Sequence, residues 1–124
     1  MERPLVIFLS GASWESRYQA AMLAATAAAL GDPVTVALAF EPLRLWASGR
    51  FDEGAPAAAA AARVASLRDT LEEVRRELGV RLVACETAVR LAGLEPSAVR
   101  PLLDEVTTLP ALWRSARDGQ LVIA

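Results

Sequence analysis

Residues Leu5 to Leu9 read LVIFL, a run that is polar on neither face. A strand of that kind must be covered on both sides, as a central strand of a parallel sheet is, rather than show one face to water. The run Val34 to Phe40, VTVALAF, repeats the pattern with β-branched residues. Between them lies SWESRYQAAMLAATAAALG. Ser13 or Ser16 can cap its start and Glu15 sits in its first turn. Tyr18, Met22, Ala25 and Ala29 recur at helical spacing, and Gly31 takes the position just past a helix end. A strand, a helix and a strand within forty residues make a right-handed βαβ unit.

The rest of the chain continues that alternation. Glu41 to Ser48 reads as a short helix with Pro42 in its first turn, followed by a surface loop from Gly49 to Pro56. The six alanines Ala57 to Ala62 carry no chemistry and read as a helix start or an excursion of the chain. Arg63 to Leu78 is the clearest helix, with Val64, Leu67, Leu71, Val74 and Leu78 on one stripe and Gly79 closing it. A third strand over Val80 to Ala84 leads into Cys85, then a short helix over Glu86 to Ala92 stopped by Gly93. Leu102 to Val106 is expected to be a fourth, short strand or an extended segment, Thr108 to Ala116 a helix, and Leu121 to Ile123 a last strand. The expected fold is an α/β three-layer sandwich, with helices on both faces of a mainly parallel sheet of about five strands. At 124 residues this is one domain, spanning 1–124.

Composition removes much chemistry. All thirteen basic residues are arginine, and the chain has neither lysine nor histidine. Histidine-dependent triads, histidine-ligated zinc, lysine Schiff bases and the P-loop lysine are therefore excluded. Fifteen acidic residues against thirteen basic ones leave no basic excess for nucleic acid. Scattered acids without a histidine or cysteine cluster make poor metal ligands, so neither a metal nor another cofactor is expected. A single cysteine forms no internal disulfide and suits a reducing cytoplasm, and an opening apolar run of five residues is too short to span a bilayer.

In an open parallel sheet, ligands collect where strands run out into helices. Three segments arrive there: Ser10-Gly11-Ala12-Ser13, Phe40-Glu41-Pro42 and Cys85-Glu86-Thr87. Helix N-termini are among the settings that turn thiols into nucleophilic thiolates. Cys85 is thus either a reactive thiol or a small buried hydrophobe. Ser10-Gly11 lacks the glycine-rich phosphate signatures and reads first as a tight turn. Ser10, Gly11, Phe40, Glu41, Glu86 and Thr87 are the residues placed to contact a substrate at this edge. Phe40 and Trp46 could shield a pocket beside Cys85, while Trp14, Trp46 and Trp113 read as packing or interface residues.

The succession LVIFLSG, LGDPVTVALAF and LGVRLVACETAVRLAGL resembles the DsrE/DsrF-like family, most specifically over Glu77 to Pro96, ELGVRLVACETAVRLAGLEP. The resemblance runs along nearly the whole chain. It implies a compact fold around a five-stranded parallel sheet, assembled into homo-oligomers such as trimers or hexamers. It also implies that Cys85 carries sulfur as a persulfide between a donor and an acceptor protein. The chain departs from the relay members in Ala57 to Ala62 and in having no histidine. The competing reading is a non-catalytic anion- or nucleotide-binding or assembly module, with Cys85 structural.

Overall fold

The computed structural model describes residues 3–124. Five strands form one sheet: β1 (Leu5–Leu9), β2 (Val34–Leu38), β3 (Arg81–Cys85), β4 (Glu105–Thr107) and β5 (Gln120–Ile123). Their order is β4-β3-β2-β1-β5 and every neighbouring pair is parallel. The helices are α1 (Trp14–Ala29), α2 (Phe40–Ala47), α3 (Ala57–Ala61), α4 (Leu67–Leu78), α5 (Glu86–Leu91), α6 (Pro96–Val99) and α7 (Leu109–Ala116). A 3₁₀ turn over Arg100–Leu102 follows α6.

The strand order decides which face each helix covers. The steps β1 to β2, β2 to β3 and β3 to β4 all go the same way along the sheet. Right-handed crossovers therefore put α1 to α6 on one face. The return from β4 to β5 goes the other way and leaves α7 alone on the opposite face. Packing agrees. Ile7, Leu9, Val36, Leu38, Leu82 and Ala84 join α1, α2, α4 and α5 in the main core. Ala37 and Val83 meet Leu112 of α7 in a small second core, with Phe8 and Cys85 packed against it. The three-layer arrangement of helices on both faces is present, with very unequal outer layers.

Helix α1 buries a different stripe from the expected one. Trp14, Arg17, Ala20, Ala21, Ala24 and Ala28 face inward. Tyr18 and Met22 are only half-buried, and Ala29 is exposed. Small side chains let the helix lie close to its neighbours, so alanine rather than the larger residues turns to the core. Ser13 is the cap, accepting a hydrogen bond from the Ser16 N–H at 3.1 Å, and Gly31 follows at φ 95°.

Helix α4 starts at Leu67, not Arg63: Ser66 caps it, accepting from the Asp69 N–H at 3.1 Å, and Asp52 reaches the same end from the preceding loop. The Asp52 carboxylate accepts from the Leu67 N–H and, at 2.7 Å, from the Ser66 hydroxyl. Arg63 takes a left-handed conformation at φ 57°, which ends the short alanine helix α3.

The fourth strand also lies later than expected, at Glu105–Thr107. Asp104 fixes it. Its N–H donates to the Leu82 carbonyl at 2.7 Å, and its carboxylate accepts from the Leu82 N–H at 2.7 Å and from two Arg75 nitrogens at 3.1 Å. On the other side of the sheet β5 needs a glycine before it. A Cβ on Gly119 would stand 1.9 Å from the Pro4 carbonyl oxygen, the group that accepts the Gln120 N–H at 2.9 Å.

Two consequences are testable. Gly119→Ala should cost at least about 2 kcal/mol in urea unfolding, since backbone must move to admit the methyl group. For Asp104, burial pushes the carboxyl up. The hydrogen bonds from Arg75 and Leu82 and the charges of Arg75 and Arg81 outweigh it and hold the group below its ordinary value. A lowered folded value means that its stabilisation is present above the unfolded carboxyl range and disappears as pH falls through the folded value. Asp104→Asn should therefore lose about 1–2 kcal/mol at pH 7, a difference that shrinks towards zero in acid.

Candidate functional site at the carboxyl edge of the sheet

The strand order arranges the candidate residues in a row. From β4 inward, the carboxyl edge presents Thr107, Cys85, Phe40 after β2, Ser10-Gly11 after β1, and Ala124 after β5. Cys85 pairs in register with Thr107, and extending the register of β2 and β3 places Ala39 beside Cys85 and Phe40 beside Glu86. Ser10 and Gly11 stand two strands from Cys85, about 10 Å at the usual strand spacing.

Cys85 is the last residue of β3 and immediately precedes α5, where its side chain makes no cap hydrogen bond. It alternates onto the α7 face, half-buried with Phe8 against Ala37, Val83 and Leu112. Glu86 and Thr87 open α5 in exposed positions, and Glu86 accepts from Arg90 at 3.3 Å. Glu41 accepts from Arg44 at 2.9 Å in the first turn of α2. Both carboxylates are thus engaged by arginines of their own helices. Among the described residues, no three His, Cys, Asp or Glu side chains gather where they could hold a metal ion.

The Ser10 and Gly11 N–H groups both donate to the Ala124 carbonyl, each at 3.0 Å. The same turn packs tightly on α1, since a Cβ at Gly11 would lie 2.3 Å from the Ser16 hydroxyl oxygen. This segment is a closed turn that joins β1 to β5.

Phe40 is the unusual member of the row. Its φ is 52°, a left-handed conformation that is rare for a bulky residue, and the residue is 46% exposed. Backbone strain of this sort persists where the surroundings over-determine a position, and it concentrates at ligand-contacting edges. Trp46 has a different role from the one expected beside it. It lies on the opposite face in the main core, edge-on to Phe51 at 5.1 Å, with its indole N–H donating to the Leu102 carbonyl at 3.0 Å. Arg68 stacks on its other side, 4.6 Å from the ring centroid. Trp14 is buried too and stacks on Tyr18, whereas Trp113 is exposed.

Arg17 escapes any reading of the sequence as a site, yet it organises this end of the molecule. It is 3% exposed, and its guanidinium donates to the carbonyls of Phe51 and Glu53, the latter at 2.8 Å. Burial pulls the guanidinium down from its ordinary value, while Asp52, Glu53, Glu41 and Glu15 pull it back up. The only trace in the sequence is an arginine on the alanine stripe of α1.

No helix among the described residues is long and apolar enough to cross a membrane. No family model matches the chain, and no curated protein matches it.

The strain at Phe40 can be measured directly. Phe40→Gly removes about half a buried ring but relieves the left-handed backbone, so the two effects should cancel to within about 1 kcal/mol. Phe8→Ala, at a neighbouring half-buried ring in ordinary strand backbone, should cost about 2–3 kcal/mol. Equal losses for both variants in chemical unfolding would show that Phe40 is unstrained.

Proposed function

We propose that this chain is a sulfur carrier that holds sulfane sulfur on Cys85 and passes it between partner proteins. The observation that carries the reading is the position of Cys85. It is the one thiol of the chain, half-buried at the sheet's carboxyl edge where β3 runs out into α5. The likeness to the DsrE/DsrF-like family over Glu77 to Pro96 points the same way.

The chemistry asks little of the protein. The Cys85 thiolate attacks the outer sulfur of a donor persulfide, R–S–SH. A new S–S bond forms on Cys85 as the donor's S–S bond breaks, and the electron pair leaves with the donor as R–S⁻. An acceptor thiolate repeats the step and returns Cys85 to its thiolate. No oxidant, metal or second internal cysteine enters, which suits a chain that lacks histidine and lysine. A peroxidase would need an external resolving thiol, and a hydrolase an orienting base beside the nucleophile. The partners are a donor and an acceptor protein that each present a persulfide or thiol, in a reducing compartment such as the cytoplasm. The carrier itself works as a homo-oligomer. The alternative, an anion or nucleotide module at Ser10-Gly11, would need N–H donors that are engaged by Ala124.

Intact mass spectrometry after polysulfide treatment tests the proposal. The wild type should gain about 32 Da, reversibly under reductant, and Cys85→Ser should gain nothing while keeping its fold to within about 1 kcal/mol. A thiol that takes up no sulfur and is alkylated only after unfolding would overturn the carrier reading. Thermal stabilisation by an anion or nucleotide that survives Cys85→Ser would favour the binding module.

A further inference from the structure

Helix α7 divides its face of the sheet into two unlike halves. On the β3–β4 side, Ala111 and Ser115 border a groove of about 230 Å³ with Thr35, Arg81, Glu105 and Thr107. Its floor carries the Arg81–Glu105 ion pair. Leu112 and Ala116 point down to the sheet and are buried. At 100° per residue, Leu109 and Trp113 must then occupy the opposite flank, above β1 and β5. That flank is apolar and open. Leu109 is 56% exposed and Trp113 58%, and Leu121 and Ile123 on β5 are 36% and 75% exposed.

The open surface continues around the edge of the sheet. On the α1 side, Leu23 and Leu30 border a groove of about 400 Å³ along Val122 and Leu5. Between the two faces runs the outer edge of β5, which pairs only with β1 among the described residues. The two edges of the sheet differ. Strand β4 has three residues, with the charged Glu105 paired to Arg81, a common way to guard an edge. Gln120 to Ile123 carries no charge, proline or bulge.

We propose that β5 pairs antiparallel with β5 of a second copy of this chain, about a two-fold axis normal to the sheet, making one continuous ten-stranded sheet. Three features favour this occupant. A two-fold of that kind brings identical edges together with N–H groups facing carbonyls, and it keeps both α7 helices on the same face. Centred on Val122, it sets Leu121 of each copy opposite Ile123 of the other and closes the two Leu109–Trp113 flanks over the seam. Arg117 and Asp118, together with Arg3, whose guanidinium donates to the Gly119 carbonyl at 3.4 Å, lie at the amino end of β5 and meet the opposite end of the second strand, so no like charges face each other. The four α7-side residues expose on the order of 500 Å² per copy. Two copies thus bring up to about 1,000 Å² together before the backbone edge and the α1 side are counted, the threshold of a specific interface.

This inference specifies the self-association proposed above and does not depend on the chemistry of Cys85, three strands away. Light scattering after gel filtration tests it on the intact chain. The wild type should run at twice 13.2 kDa or at an even multiple such as a hexamer. Ile123→Lys and Trp113→Lys, both at exposed side chains, should lower that mass at least two-fold while keeping the far-ultraviolet spectrum and sulfur uptake. A wild-type monomer or trimer, neither of which contains a two-fold axis, would overturn the proposal. So would an unchanged mass in both folded variants.

Discussion

The constraint from which most of this structure follows is the handedness of the crossovers between parallel strands. Strands β1 to β3 are apolar on both faces and have to be covered twice. With three crossovers stepping one way and one stepping back, right-handed connections assign six helices to one face and α7 to the other. The main face is sealed by a broad core that includes Trp46, Phe51, Leu67 and Leu71. The second face depends on eight residues of α7, through which Leu112 and Ala116 reach the sheet. Its thin cover leaves a half-buried thiol at one end of the face and an uncovered apolar flank along β5.

The same arrangement decides what the carboxyl edge can do. Side chains alternate along β3, so Leu82 and Ala84 enter the main core while Val83 and Cys85 turn to α7. The thiol is therefore held by Ala37, Val83 and Leu112 on a rigid sheet, at the point where the backbone turns into α5. Ser10 and Gly11 are drawn away from any ligand by their bonds to Ala124. What remains exposed along this edge is Phe40, one strand over from Cys85, and the first turns of two short helices. Such a setting can present a thiol to a partner's thiol or persulfide.

The sequence makes the alternation of strands and helices legible because it is written in local signals. The runs LVIFL and VTVAL, the Ser13 cap and the glycine after α1 each lie within a few residues of what they control. The departures come from contacts distant in sequence. Helix α4 begins late because its cap, Ser66, is held by Asp52 from fourteen residues earlier. Strand β4 moves to Glu105 because Asp104 is held by Leu82 and by Arg75 from α4. The inward stripe of α1 is set by how near its neighbours can come, which favours alanine over Tyr18 and Met22. At the site, the placement of Cys85 at a strand end could be read directly. The left-handed Phe40, buried Arg17 and the removal of Trp46 to the other face depend on tertiary packing that no local pattern encodes.

A sulfur carrier must give up the sulfur on its thiol as well as take it. Cyanide attacks the outer sulfur of a persulfide, leaving the thiolate and releasing thiocyanate, so cyanolysis of polysulfide-loaded protein counts transferable sulfur. If Cys85 carries transferable sulfur, the folded wild type should release one equivalent of thiocyanate per chain and Cys85→Ser none. Release of no thiocyanate from the wild type, or of equal amounts from both proteins, would contradict that role.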